Sequence, residues 1–138
     1  MTPNQIALVQ QTFAQVKPIA DTAATLFYDR LFELDPSLRP LFKGDLQDQK
    51  TKLMQALAFV VAGLTRLESI VPTVEALGQR HGAYGVQEAH YATVGAALLW
   101  TLSQGLGEAF TPEVQAAWLA AYTILSTVMQ KAAVSVPA

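Results

Sequence analysis

Apolar residues recur at three- and four-residue intervals along almost the whole chain, the signature of helices with one buried face. Thr2 and Pro3, with Gln5 three positions after Thr2, predict a capped start to a first helix. Ile6, Val9, Phe13 and Val16 lie on one side of it. Pro18 interrupts that stripe, and Ala20, Ala24, Phe27, Tyr28 and Leu31 define a second helix running to about Leu34. Asp35-Pro36 predicts a short capped turn from Ser37 to Leu41 that ends at Phe42, with Lys43-Gly44-Asp45 as a loop. From about Leu46 to Leu64 a long stripe carries Gln49, Leu53, Leu57, Val60, Val61 and Leu64. Pro72 suits the first turn of the next helix, in which Ile70, Val74, Leu77 and His81 share a face and Gly82 and Gly85 mark the corner beyond. Val86 to about Leu106 predicts a helix through Tyr91, Val94, Leu98 and Leu102. Thr111-Pro112-Glu113 opens a last helix lined by Val114, Ala117, Trp118, Ala121, Tyr122, Leu125 and Met129. The tail from Val134 to Ala138 is expected to fray.

No stretch alternates with the period of a strand, and no internal repeat is visible. The pattern therefore predicts an all-α fold of about seven unequal helices joined by short loops, an irregular arrangement rather than a four-helix bundle. Three polar side chains break the apolar stripes: Tyr28, Gln49 and His81. A buried amide costs about 1–3 kcal/mol if left unsatisfied, so Gln49 should face a polar ligand, water or another side chain. A buried imidazole likewise needs a partner, either a hydrogen-bonding group or a metal.

Composition narrows the choice. The length of 138 residues suits one unit spanning residues 1–138, with room for a substantial core. Apolar residues make up 51% and charged residues 14%, against an average of about 25% charged, which points to an internal apolar pocket or an association surface. Nine basic residues against 11 acidic ones, with no basic run, make nucleic acid an unlikely partner. The absence of cysteine excludes disulfides, thiolate metal sites and a cysteine nucleophile. The amino terminus lacks the pattern of a signal peptide, and the longest apolar run, Ala56 to Leu64, falls short of the ~20 residues of a membrane span, so a soluble cytoplasmic protein is expected.

Hydrolytic chemistry has little support. There is no glycine-rich phosphate loop, no His-Glu-x-x-His motif and no serine in a nucleophile elbow. A lone imidazole is a poor site for a bare metal ion, which usually needs three or four protein ligands. It is enough for haem iron, where the porphyrin supplies four nitrogens and the protein one axial ligand. An ordinary core histidine bonded to a backbone carbonyl is the competing reading of His81.

With these residues in place, the chain resembles the globin family, and in particular bacterial single-domain globins related to the globin domain of flavohaemoglobins. Phe27-Tyr28, then Asp35-Pro36, then Phe42 resemble that family's distal tyrosine, corner proline and haem-wedging phenylalanine. Gln49 and Leu53 match its distal pair, His81 its iron ligand, and Gly85-Val86 the turn that packs a branched side chain under the ring. Tyr91-Ala92-Thr93-Val94-Gly95 resembles the following helix, whose tyrosine hydrogen-bonds near the proximal histidine. The likeness extends from about Thr2 to Lys131.

The resemblance implies a globin fold around one b-type haem (iron protoporphyrin IX), with iron held by His81. It further implies that Tyr28 and Gln49 hydrogen-bond a gas on the opposite side. Phe27, Phe42, Leu53, Leu77, Val86, Tyr91 and Val94 would line the pocket, with Lys52 and Arg80 near its edge to pair with the haem propionates. The implied function is tight O2 binding, with CO or NO as other ligands. The alternative is nitric oxide dioxygenation supported by an external reductase. One departure matters: where flavohaemoglobins carry a carboxylate late in the last helix, the aligned position near Ala133 has no acid. His81 should then have less imidazolate character than in those relatives. Trp100 and Trp118 read as packing residues, and His90 as a surface or interhelical residue.

Overall fold

The Thr2 hydroxyl accepts the Gln5 backbone N–H at 3.1 Å while Gln5 Oε1 accepts the Thr2 N–H at 3.0 Å, the reciprocal capping box that the sequence predicts. It starts α1 (Pro3–Val16) in a computed structural model that describes residues 1–42, 45–83, 86 and 88–134. A 3-10 turn over Lys17–Ile19 places Pro18 between α1 and α2 (Ala20–Leu34). Asp35 Oδ1 accepts the Ser37 N–H at 3.1 Å and caps a 3-10 segment, Pro36–Leu41. Asp45 does the same for α3 (Leu46–Ala62) through the Gln47 N–H at 2.9 Å. A third 3-10 segment, Gly63–Arg66, leads into α4 (Leu67–Ala83); α5 (Glu88–Leu106) and α6 (Pro112–Val134) follow. Between the last two, Gly107 takes a positive φ of 56° that a side chain would strain. The described residues form six α-helices and four 3-10 segments and no strand, the all-α class that the periodicity predicts.

Three boundaries differ from expectation. α4 begins at Leu67, so Pro72 lies inside the helix rather than in its first turn, and Gly82 also belongs to the helix. The reason is packing. Ile70 and Val74, on either side of Pro72, are both only 4% exposed, whereas Pro72 faces solvent, where water can satisfy the carbonyl that its missing N–H leaves free. Likewise α5 starts at Glu88, not Val86. The expected loop at Lys43-Gly44, the corner at Gly85 and the frayed end beyond Val134 lie outside the described residues.

The core sits where α4 lies along α6, α2 crosses α5, and α1 lies against α6. Val9, Leu31, Ala97 and Ala117 are completely buried there. Phe13 meets Trp118 at 6.3 Å between ring centroids, and Trp118 Nε1–H donates to Thr12 Oγ1 at 2.9 Å, which pins α1 to α6. Trp118 is thus a packing residue, as expected.

α3 and α4 follow each other in the chain but pack on different partners. They are joined by Gly63–Arg66 yet, among the described residues, make no extensive contact with each other; α3 packs on α2 and α1 instead. Leu53, Leu57, Leu77 and His81 are consequently only half-buried. The helical stretch Leu46–Gly82 is long and apolar enough, by length and composition, to cross a membrane, with mean hydropathy 1.5, although the uninterrupted apolar run in it is short. Only 28% of that apolar window is buried within the protein, so this arm of the fold presents an apolar face that its own helices do not cover.

The approach of α4 to α6 depends on Gly78, because a Cβ there would overlap the Met129 backbone. Main-chain atoms within a helix cannot swing aside as a side chain can. Gly78→Ala should therefore lower stability by about 1–3 kcal/mol, read as an earlier midpoint in urea unfolding; an unchanged midpoint would mean that the two helices separate freely.

Candidate functional site

His81 lies near the end of α4, half-buried, with Nδ1 2.7 Å from the Leu77 carbonyl oxygen one turn earlier. A carbonyl can only accept, so Nδ1 carries the hydrogen and donates it, and the lone pair of the neutral ring resides on Nε2. The backbone-bonded reading of the histidine is observed, and it is compatible with a ligand role for the other nitrogen. One nitrogen is bonded to the backbone and orients the ring, while the other is the form of imidazole that binds a metal. The His81 carbonyl in turn accepts the Val86 N–H at 3.0 Å, which ties Val86 to the same turn.

Tyr28 projects from α2 and is 4% exposed. Its O–H donates to the backbone carbonyl of Gln49 at 3.3 Å, long for a hydroxyl donor and therefore readily exchanged. The ring is held by aromatic neighbours: Phe27 at 5.1 Å and Phe42 at 5.3 Å, both edge-on, and Phe32 at 5.9 Å. Phe32, which meets Phe42 at 5.5 Å, completes this cluster and was not singled out from the sequence, although its position four residues after Tyr28 on one helix face carries the signal. Burial pushes the Tyr28 hydroxyl up from 10.0 to about 12. Between pH 10 and about 12 an unfolded chain would release this proton while the folded one keeps it, so its contribution to stability is whole below pH 10 and is lost across that window. At physiological pH Tyr28 is a neutral hydrogen-bond donor.

The structure brings Tyr28 and Gln49 together, but through the Gln49 backbone rather than its amide. Among the described residues the half-buried Gln49 side chain has no hydrogen-bond partner. Leu53 and Phe27 lie together around a small internal cavity that Leu57 and Leu98 also line. Leu77, Val86 and Val94 are half-buried against the edge of the core. Lys52 and Arg80 are exposed, and neither forms an ion pair among the described residues. His90 is half-buried on α5.

Tyr91 departs from expectation. It is buried, yet its hydroxyl has no partner among the described residues and makes no bond near His81. The Leu77 carbonyl already takes the Nδ1 hydrogen, because it lies one helical turn away on the same element and needs no tertiary adjustment. The Tyr91 carbonyl instead accepts the Tyr122 O–H at 2.6 Å. Burial raises the pKa of Tyr91; it also raises that of Tyr122, with the charge of Tyr91 adding to it.

These features can be tested for fit to a flat, largely apolar group with one open axial position. The described residues hold no cluster of three or more metal-ligating side chains, so a bare ion has no cage. A porphyrin needs only the free Nε2 of His81 and apolar cover, which the half-buried side chains of α3, α4 and α5 offer. The Tyr91 hydroxyl, buried without a partner among the described residues, is a group that such a ligand or an ordered water would satisfy. The residues present fit that group. Cavity volume alone would have pointed elsewhere, since a cavity of about 380 Å³ opens between α1, α2 and α3 and touches none of Tyr28, Gln49 or His81.

Unequal helices crossing at several contacts, with two consecutive ones held apart, define an irregular all-helical protein rather than a bundle. The globin family model matches residues 25–129. The chain belongs to the globin family. It is 32% identical over 124 residues to a flavohemoprotein of Bacillus subtilis (strain 168), covering 88% of this chain and 31% of that one. It is 35% identical over 133 residues to a flavohemoprotein of Bordetella parapertussis, covering 94% and 33%. The chain thus spans about a third of the length of the curated relatives it matches. Among solved structures, an engineered carbene transferase from Rhodothermus marinus shares the fold with a TM-score of 0.88 at 22% identity, over 97% of this chain and 94% of that one.

Proposed function

We propose that the protein binds one b-type haem through His81 Nε2 and uses it to hold O2 tightly, with CO and NO as other ligands. The observation that carries this reading is the Nδ1–H bond from His81 to the Leu77 carbonyl, which fixes the tautomer and leaves Nε2 free. Family membership and the flavohemoprotein relatives support it. Haem, held by His81, would supply an iron that binds a diatomic gas.

The chain's own residues do the rest. Tyr28, neutral at physiological pH, exchanges its long bond to the Gln49 carbonyl for a donor bond to a gas carrying partial negative charge. The Gln49 amide is a second donor. Phe27, Phe42 and Leu53 exclude water from that side, while Leu77, Val86, Tyr91 and Val94 pack around His81. Lys52 and Arg80, both exposed, pair with the haem carboxylates. The neutral Leu77 carbonyl draws on Nδ1–H less than a carboxylate would, and Ala133 offers no acid, so His81 would donate to iron less strongly than a carboxylate-paired histidine. Residues 1–138 act in this reading as one haem-binding unit in the cytoplasm.

A second reading, nitric oxide dioxygenation, is favoured by the Tyr28 and Gln49 donors, which would hold an activated oxygen for attack by NO. Sustained turnover would draw electrons from an external reductase. Repeated NO consumption with a generic reductase present supports this reading, whereas a single stoichiometric oxidation leaves O2 binding as the function.

Reconstitution with hemin should give a Soret band in the wild type that His81→Ala loses or shifts. Retention of an identical band by that variant would sink the central reading. Tyr28→Phe removes one charge-assisted donor of about 1.5–3 kcal/mol and should speed O2 dissociation roughly 10–100-fold. The wild-type rate should stay flat up to about pH 10, because the hydroxyl that carries the bond is still protonated there. An unchanged rate in Tyr28→Phe would remove that residue from the gas-binding side.

A further inference from the structure

The three rings that hold Tyr28 are not equally fixed. Phe27 is 4% exposed and immobilised by its burial. Phe32 and Phe42 are only half-buried, although each touches both Tyr28 and the other. Burial alone therefore leaves these two rings room to shift, and one side chain spans both of them.

That side chain is Arg39, on the 3-10 segment Pro36–Leu41, next to Leu38, which is 3% exposed and roots the segment in the core. The Arg39 guanidinium lies over the Phe32 ring, 5.5 Å from its centroid, and Nη1–H donates to the Phe42 carbonyl at 3.3 Å. The Phe42 N–H in turn donates to the Arg39 carbonyl at 3.1 Å. Contacts thus run in a closed circuit from Arg39 to Phe32, to Tyr28, to Phe42 and back to Arg39. Among the described residues no carboxylate pairs with Arg39 and draws it off the ring. A guanidinium suits this place because its plane covers a ring face while its fork still donates, and its charge is permanent.

We infer that Arg39 is a positioning residue for the gas-binding side: by clasping Phe32 and Phe42 from outside, it sets where the Tyr28 hydroxyl points and so how firmly that hydroxyl holds a gas. The inference rests on the haem reading above for its consequence, whereas the clasp itself is geometry. A donor bond weakens steeply with angle and distance, so a slight tilt of the Tyr28 ring is enough to change its strength.

The test is a double-mutant cycle in the haem-loaded protein. Arg39→Ala should speed O2 dissociation about two- to five-fold and raise the C–O stretching frequency of the CO form, because the donor bond to the gas weakens. In a Tyr28→Phe background the same substitution should change neither, since the group through which Arg39 acts is gone. Arg39→Lys, which keeps a cation and a donor, should restore most of the wild-type frequency, whereas Arg39→Met, which keeps only an apolar stem, should behave like Arg39→Ala. Before haem is added, the ring resonances of Phe32, Phe42 and Tyr28 should shift in Arg39→Ala more than in Arg39→Lys. If Arg39→Ala does not fold, Arg39→Met and Arg39→Lys carry the same comparison. Equal acceleration of O2 dissociation in both backgrounds, or a wild-type C–O frequency in folded Arg39→Ala, would overturn the positioning role. A protein that takes up no haem but shows the ring shifts overturns the proposed function and leaves the clasp standing; unshifted rings overturn the clasp.

Discussion

The hydrogen bond from His81 Nδ1 to the Leu77 carbonyl is the constraint on which the functional geometry turns. Without it the imidazole could rotate and change tautomer, and neither nitrogen would be reserved for a metal. With it, one nitrogen is committed to the backbone of its own helix. The acceptor lies four residues back, so helix geometry alone supplies the bond and tertiary packing need only leave the other nitrogen accessible.

α3 and α4 pack on different partners. α4 is anchored to α6, with Gly78 allowing the backbones to meet, while α3 is anchored to α2 and α1. Each helix therefore keeps part of its apolar face free of protein contact, which accounts for a long apolar stretch of which little is buried. A flat apolar group would cover that face and would find a histidine on α4 and a glutamine on α3.

Aromatic packing plays a corresponding part around Tyr28. Phe27, Phe32 and Phe42 hold its ring and exclude water, and the same burial that raises its pKa keeps the hydroxyl protonated. Its bond to the Gln49 backbone satisfies the hydroxyl without locking it, since the 3.3 Å separation is long. Beside this cluster, Phe27 and Leu53 line a small apolar cavity with Leu57 and Leu98.

Helical class, capping at Thr2, Asp35 and Thr111, and the apolar stripes follow from the order of residues, because they depend on spacing within a turn or two. For the same reason His81, Tyr28 and Gln49 stand out in the sequence: each is a polar group on an apolar stripe. Other features arise only when distant segments meet. Pro72 lies inside α4 because Ile70 and Val74 are buried there, which a local rule about proline cannot register. The partner of Tyr28 is a backbone carbonyl, invisible in residue identities, and among the described residues the Tyr91 hydroxyl lacks the bond that the family resemblance implied. The chamber bounded by Phe13 and Met54 brings together residues of α1, α2 and α3 that no spacing links. Spacing determines which side chains share a face; only packing decides which atoms each face meets.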